Sequence, residues 1–340
     1  MTVLSVGTLF SGIDVPAHAL IDLVGKEDVR LVFGVEKSNI CRHILENTLK
    51  PEVLLRDIKH LEKVTKLPWV DILWLSPPCL DFSANGKQKG VLGTSGGLIW
   101  DAIQYLMVTQ ATIVVLEQVP GALRRRHKQL WKDVLKTLKQ LGCTVFKNIL
   151  DAQFFKTPQG RRRFFLVCIH SSAGADAINN FTWPTGTKHS AMVDVESFLD
   201  AKLPTESCRT LPKKSMTSKS RERKLVKKAI KHILKKNGNP SQAVVDVGCS
   251  QKFATHRPGG FPTMTRTRCS GHNYWAIARG RKVNTRELCR GMGLHPKLIP
   301  WKKLKVSDAA FGACLGNSVS FGCARAILKS VLRILQRGRR

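Results

Sequence analysis

The sequence predicts an α/β protein in which a parallel sheet, covered by helices on both faces, is followed by a smaller basic region. Three observations predict it: short continuous apolar strands recur with helical patterns between them, chemically capable side chains stand at the ends of those strands, and the charge is unevenly distributed. Val3 to Phe10 is an apolar, β-branched run that stops at Ser11-Gly12, after which Pro16 opens a helical pattern through Leu20 and Val24. Leu31 to Val35 is a second buried strand ending at Glu36, and Ser38 caps a helix that presents Cys41, Ile44, Leu45 and Leu49 on one face. Val53 to Leu55 leads to Asp57, Val70 to Leu75 leads to Pro77-Pro78, and Thr112 to Leu116 leads to Glu117. In sheets of this kind ligands gather at the carboxyl ends of the strands.

Phe164 to Ile169 gives one more strand, and then the alternation dissolves. From 171 to about 262 the chain is broken by Ser, Thr, Pro and Gly around one basic helix, Arg221 to Lys236, whose apolar stripe reads Leu225, Ile230, Ile233 and Leu234. A last helix is predicted from Ser320 to Leu335, after the Gly316-Asn317 turn. The expected organisation is three segments, 1–170, 171–280 and 281–340, with no regulatory domain on either side.

Fifty-six lysines and arginines against 24 acids give a net charge of +32, which calls for a polyanionic partner. Residues 1–100 carry eleven basic and eleven acidic side chains, whereas 101–170 carry twelve and four, 209–236 twelve and one, and 281–340 fourteen and two. The first hundred residues are therefore a balanced fold, and the surplus lies beyond them. The ten cysteines are scattered, with no CxxC and no zinc spacing, so no metal is expected and the thiols read as reduced in an intracellular compartment. No apolar run approaches the ~20 residues of a membrane span. The stretch Thr2 to Val24 carries Asp14 and Asp22 with no basic residue before Lys26, which argues against a signal peptide.

Glu36, 24 residues after the glycine turn, suits the hydroxyls of a ribose, although an exposed strand-end carboxylate is the plain alternative. The turn Phe10-Ser11-Gly12-Ile13-Asp14 has no GxGxxG, so an adenosine without a tightly held phosphate fits better than a dinucleotide. Cys79, directly after two prolines, sits on a stiff loop at the same edge and stands apart from the other nine cysteines, which read as inert. Arg161 to Arg163 supply cations that favour a thiolate. A cysteine and the acid Glu117 at neighbouring strand ends point to covalent catalysis with proton assistance.

Taken together, these motifs resemble the DNA (cytosine-5)-methyltransferase family over nearly the whole chain. Thr8 to Asp14 is similar to the family's first motif, and Pro77-Pro78-Cys79-Leu80-Asp81-Phe82-Ser83 with Asn85-Gly86-Lys87-Gln88 to its catalytic loop. Glu117-Gln118-Val119 resembles the Glu-Asn-Val motif, and Gln159-Gly160-Arg161-Arg162-Arg163 the Gln-x-Arg-x-Arg motif. Arg286-Glu287 through Gly291-Met292-Gly293 resembles the segment that supports the recognition region, and Gly316-Asn317-Ser318-Val319 the last motif. Gln118 stands where asparagine is usual, and Leu80 where glutamine is common.

The resemblance implies a Rossmann-like sheet that binds S-adenosyl-L-methionine and releases S-adenosyl-L-homocysteine, with 1–170 as the catalytic domain, 171–280 as target recognition and 281–340 returning to the catalytic domain. It implies cofactor contacts from Phe10, Gly12, Ile13, Asp14, Glu36, Asp57, Ile58, Pro78, Leu98, Asn317 and Val319. Cys79 is implied as nucleophile at cytosine C6, Glu117 as the proton partner at N3, and Arg161 and Arg163 as holders of the flipped base. Duplex DNA is the implied partner, met by Ser83, Lys87, Gln88, Lys213, Lys214, Arg221, Arg223, Lys227, Lys228, Arg266 and Arg268. A monomer is expected, in the nucleus of a eukaryote or the cytoplasm of a bacterium or phage host. One rival is a tRNA cytosine-5 methyltransferase, against which stands the absence of a Cys-Phe-Thr; the other is an inactive DNA-binding paralogue, against which stand Cys79 and Glu117.

Overall fold

The computed structural model describes residues 3–58, 69–78, 94–108, 111–187, 194–201, 217–250 and 256–337. The chain divides into two compact units, one formed by Met1–Leu150, Arg162–Thr185 and Cys323–Arg340, the other by Asp151–Arg161 and Gly186–Gly322. This division differs from the expected segments: residues 151–161 leave the first unit, and the segment 281–340 is shared between the two.

The first unit is built on a seven-stranded sheet of order β3-β2-β1-β4-β5-β7-β6. Its strands are β1 (Leu4–Leu9), β2 (Val29–Val35), β3 (Val53–Leu55), β4 (Val70–Leu75), β5 (Ala111–Gln118), β6 (Cys143–Asp151) and β7 (Arg162–His170). β1 pairs in parallel with β2 and β4, β2 with β3, and β4 with β5. The helices α1 (Val15–Val24), α2 (Asn39–Thr48) and α3 (Thr94–Val108) lie in the crossovers that parallel neighbours require, and α4 (Lys128–Gln140) lies between β5 and β6. As expected, Ser38 caps α2 by accepting from the Cys41 amide, and Cys41, Ile44 and Leu45 are buried. Leu73, Leu75, Val114 and Leu116 share one core with Ile103 of α3 and Trp131, Val134 and Leu138 of α4.

One strand departs from the parallel expectation. β7 runs antiparallel to β5, with Glu117 opposite Phe165 and Gln118 opposite Phe164. The connection from β6 to β7, residues 152–161, is shorter than the dozen or so residues of a helical crossover, so the chain turns back instead. The short helix α5 (Ala175–Asn179) follows β7.

The second unit carries the basic helix α6 (Thr217–Lys235) against a four-stranded sheet of order β11-β10-β8-β9, from β8 (Ala243–Asp246), β9 (His256–Pro258), β10 (Tyr274–Ala276) and β11 (Arg281–Lys282). Val226, Ala229 and Ile233 of α6 pack on Ala243, Val245, Val247, Trp275 and Ile277. Leu225 is buried, but Leu234 is 56% exposed: nine positions on, it lies about half a turn around the helix from Leu225, off the expected stripe. Three more helices belong to this unit, α7 (Arg266–Ser270), α8 (Thr285–Gly291) and α9 (Asp308–Asn317), before α10 (Phe321–Arg337) leads the chain back into the first. A Cβ on Gly316 would come within 2.4 Å of the Thr265 backbone and one on Gly312 within 2.6 Å of the Cys269 carbonyl oxygen, so α9 needs both glycines to approach α7.

A buried acid anchors α8. Glu287 is fully buried, receives both terminal nitrogens of Arg281 at 2.9 Å, and accepts the amides of Asn284 and Asp200 at 2.8 Å. Removing such an acceptor strands a cation and two amides, so Glu287→Ala is expected to lower unfolding stability by about 3 kcal/mol. Glu287→Gln, which keeps an oxygen for the capping amides, should lose less. Chemical denaturation measures both, and an alanine variant as stable as the parent would contradict the anchoring role.

Asp14 generates a second expectation. It caps α1 from a left-handed conformation, φ 51°, accepting from the Ala17 amide at 3.1 Å and the Thr8 hydroxyl at 2.8 Å. Burial outweighs these bonds and pushes its carboxyl up to about 6. A folded-state value above the unfolded one means that Asp14 contributes stability below about pH 4, and that this contribution is lost as pH rises through 6. Two pH units correspond to roughly 3 kcal/mol. The substitution Asp14→Asn removes the charge, retains an oxygen for the Ala17 amide and tolerates the left-handed turn. The stability of that variant relative to the parent should therefore improve between pH 4 and 7.5. A difference that stays flat across that range would refute the assignment.

Candidate functional site

The carboxyl ends of β1, β2, β3 and β4 lie side by side along one sheet edge. After β1 the chain turns through three residues of positive φ, Phe10 at 59°, Gly12 at 58° and Asp14 at 51°. A Cβ placed on Gly12 would meet nothing within 4 Å, so the turn presents bare backbone on an open side. Glu36, at the end of β2, binds this turn: one carboxylate oxygen accepts the Gly12 amide at 2.8 Å and the other accepts the Ser38 amide at 2.6 Å, at the amino end of α2. The acid is thus held by two backbone donors while part of its surface stays exposed. Asp57, beyond β3, pairs with Lys37 at 3.4 Å, and Ile58 beside it is buried. Phe10 and Leu98 pack half-buried against the sheet core, and Ile13 is buried.

This set fits the adenosine part of S-adenosylmethionine. It offers a pre-oriented acid for a ribose diol, a polar group beside it, apolar side chains for the ring faces and a glycine turn without bulk. Asp14 serves the same turn from within, through the α1 cap rather than through an exposed oxygen. His18, one helical turn on, is buried, and its ring is pushed down to about 4 by burial, so it stays neutral.

Next along the edge, Glu117 of β5 pairs with Arg163 of β7, Nε to Oε1 at 2.8 Å, both side chains largely buried. Gln118 lies beneath them, 1% exposed. Its amide nitrogen donates to the Pro77 carbonyl at 3.2 Å and its oxygen accepts the Val119 amide at 2.8 Å. The longer amide that replaces asparagine therefore spans from β5 to the Pro77-Pro78 turn after β4, a role the sequence signalled only as a departure. Cys79, Ser83, Lys87, Gln88, Lys213 and Lys214 lie outside the described residues. Among the described cysteines, burial pushes the thiols of Cys143, Cys168, Cys269 and Cys289 up, the last two to about 12, which keeps them protonated.

The Gln-Gly-Arg-Arg-Arg segment is divided, Arg163 falling in the first unit and Arg161 in the second. Arg161 is buried and donates to the carbonyls of Met264 at 2.6 Å and Ser318 at 2.5 Å. Gln159 donates to the Gly291 carbonyl at 3.2 Å and accepts the Met264 amide at 2.9 Å. These bonds join three segments that the sequence singled out separately. Asn317, the last residue of α9, is exposed, and Val319 is buried. Of the basic residues expected to meet DNA, Lys227, Lys228 and Arg266 are exposed and Arg223 is half-buried. Arg221 donates to the carbonyls of Gly248 and Cys249 at 3.0 and 2.7 Å, and Arg268 pairs with Asp246 at 3.0 Å, so both are engaged within the unit.

The chain is similar to the Type II methyltransferase M.HpaII of Haemophilus parainfluenzae, 28% identical over 279 residues, 78% of this chain and 72% of that protein. It is 35% identical to the Type II methyltransferase M.BsuFI of Bacillus subtilis over 120 residues, 35% of this chain and 29% of that protein, so the match spans under a third of that relative. The fold resembles the crystal structure of the Dnmt2 methyltransferase of S. pombe with a TM-score of 0.61, at 15% identity, over 97% of this chain and 98% of that one. The family described as C-5 cytosine-specific DNA methylase matches residues 4–333, nearly the whole length, and the chain belongs to it.

Proposed function

We propose that the protein transfers a methyl group from S-adenosylmethionine to C5 of cytosine in duplex DNA. The observation that carries the reading is the Glu117–Arg163 pair, tied through Gln118 to the turn that leads into Cys79, beside the adenosine-suited edge of β1 to β3. The chemical problem is that C5 of cytosine is too weak a nucleophile to take a methyl group unaided. The Cys79 thiolate adds to C6, a C6–S bond forms, and the electron pair moves toward C5 while Glu117 shares a proton at N3. The cofactor supplies the electrophilic methyl group. Loss of the C5 proton then expels the thiolate and restores the ring.

Arg163 fixes the Glu117 carboxylate and offers positive charge where the ring gains electron density. Arg161 acts as a positioning residue, through the backbone carbonyls it gathers. The target base must be flipped out of the helix to reach Cys79, at a cost of about a few kcal/mol that pocket contacts offset. Lys227, Lys228 and Arg266 are among the exposed cations of the second unit suited to phosphates.

The decisive experiment follows labelled methyl groups from S-adenosylmethionine into duplex DNA, with bisulfite sequencing to read the position. Incorporation at cytosine is expected, and Cys79→Ser should abolish it while leaving DNA binding in place. Labelling of tRNA with none in DNA would overturn the reading, and so would full activity in the serine variant. Cofactor binding tests the other half of the site. Glu36→Ala should weaken binding of S-adenosylhomocysteine by roughly ten- to a hundredfold, the worth of charged hydrogen bonds, as titration calorimetry would record. An unchanged affinity would remove Glu36 from the cofactor site.

A further inference from the structure

The segment 120–139 carries seven basic side chains and one acid, Asp133, and none of the motifs above accounts for it. It begins two residues after Gln118. Two 3₁₀ turns, Pro120–Leu123 and Arg125–His127, carry the chain into α4. The helix has two faces of opposite character. Leu130, Val134 and Leu138 are buried at steps of four, and Lys128, Lys132 and Lys136 are exposed at the same steps but two positions earlier, which is about 200° around the helix. Neighbouring lysines along this ridge are about 6 Å apart. Arg124, Arg125 and Lys139 extend the exposed row at its two ends.

Among the described residues no carboxylate forms an ion pair with Lys128, Lys132, Lys136 or Lys139. Like charges four apart weaken a helix, and this one keeps three such lysines in a row. The ridge is also rigidly attached to the site. Trp131 donates to the Ala122 carbonyl at 2.7 Å, and its ring meets Phe164, next to Arg163, edge-on at 5.1 Å. Arg126 donates to the ring of the buried His127 at 3.1 Å, which pins the entry to the helix.

We propose that this ridge is a second phosphate contact, carried by the catalytic unit itself and holding the DNA that flanks the target cytosine. The inference rests on the reading of the chain as a duplex-DNA methyltransferase. Duplex DNA is the occupant that the observations favour. The row starts at the same strand edge as Glu117, so a duplex that delivers a base to that edge passes its first residues. Phosphates recur every ~3.4 Å of axis along each strand, so a backbone running beside the start of α4 would offer one to Lys128 and another to Lys132. Lysines without partner carboxylates and without interleaved exposed aromatics suit a backbone contact that reads no sequence.

The test compares Lys128→Ala/Lys132→Ala with Lys26→Ala/Lys329→Ala, which removes the same charge from two exposed lysines elsewhere in the unit. The probe is a duplex long enough to extend beyond α4 on both sides of one target cytosine. Each lost phosphate contact should make the slope of log affinity against log salt shallower by about 0.9, so the ridge variant should lose about two and the control less than one. The KM for DNA should rise about tenfold in the ridge variant, with kcat at saturating DNA and cofactor affinity unchanged. Lys128→Glu/Lys132→Glu should raise it further. A ridge variant that matches the control in slope and in KM overturns the proposal, whether or not the ridge serves an acidic protein surface. The parent chain is assayed first: failure to methylate duplex DNA would overturn the functional reading, whereas an active parent with a neutral ridge variant would overturn the ridge alone.

Discussion

The antiparallel pairing of β7 with β5 is the constraint on which the site depends. Glu117 lies near the end of β5, at the carboxyl edge, and Arg163 lies near the start of β7. Only because β7 runs backwards does its start meet that edge, where the two side chains pair at 2.8 Å. A parallel β7 would carry Arg163 to the far edge, the length of a strand away at about 3.3 Å per residue. β7 follows β6 after a connection too brief for a helical crossover, and its antiparallel run beside β5 is what brings the cation to the acid.

The same edge shows how polar groups are fixed before any ligand arrives. Glu36 accepts two backbone amides from two different turns, and Gln118 holds a carbonyl and an amide with one side chain. Each uses an otherwise unsatisfied backbone group at the end of a strand or the start of a helix, where such groups are most numerous. Asp14 takes the more costly route, a carboxylate buried at a helix cap, and its raised pKa records that cost. The turn between β1 and α1 is therefore shaped by an interior acid and read from outside by Glu36.

Much of this was legible in the sequence because the relevant signals are local. β4 runs from Val70 to Leu75 as expected, ended by Ser76 and the two prolines that follow, and Ser38 announces the start of α2. What was not legible depends on partners distant in sequence. The direction of β7 is decided by the length of a connection rather than by its own residues. Arg161 resembles its neighbour Arg163 in the motif, yet the fold gives one to backbone carbonyls and the other to a carboxylate. Leu234 looks like part of the α6 stripe until the helical angle is counted. Gln118 reads as a defect until its longer reach is seen to span to Pro77.

The charge distribution follows from the same division of labour. A cofactor pocket that must admit a small zwitterionic molecule gains nothing from a strong field, and the first hundred residues are neutral. On the proposed reading, a base presented to Glu117 and the Pro77-Pro78 turn would have to stay registered to within a fraction of an ångström. The basic helix α6 in one unit and the α4 ridge in the other are each backed by an apolar face fixed to its own sheet. A row of cations mounted rigidly within its own unit suits a contact that fixes the register of a polyanion's backbone, so on the proposed reading the large net charge would position as well as attract.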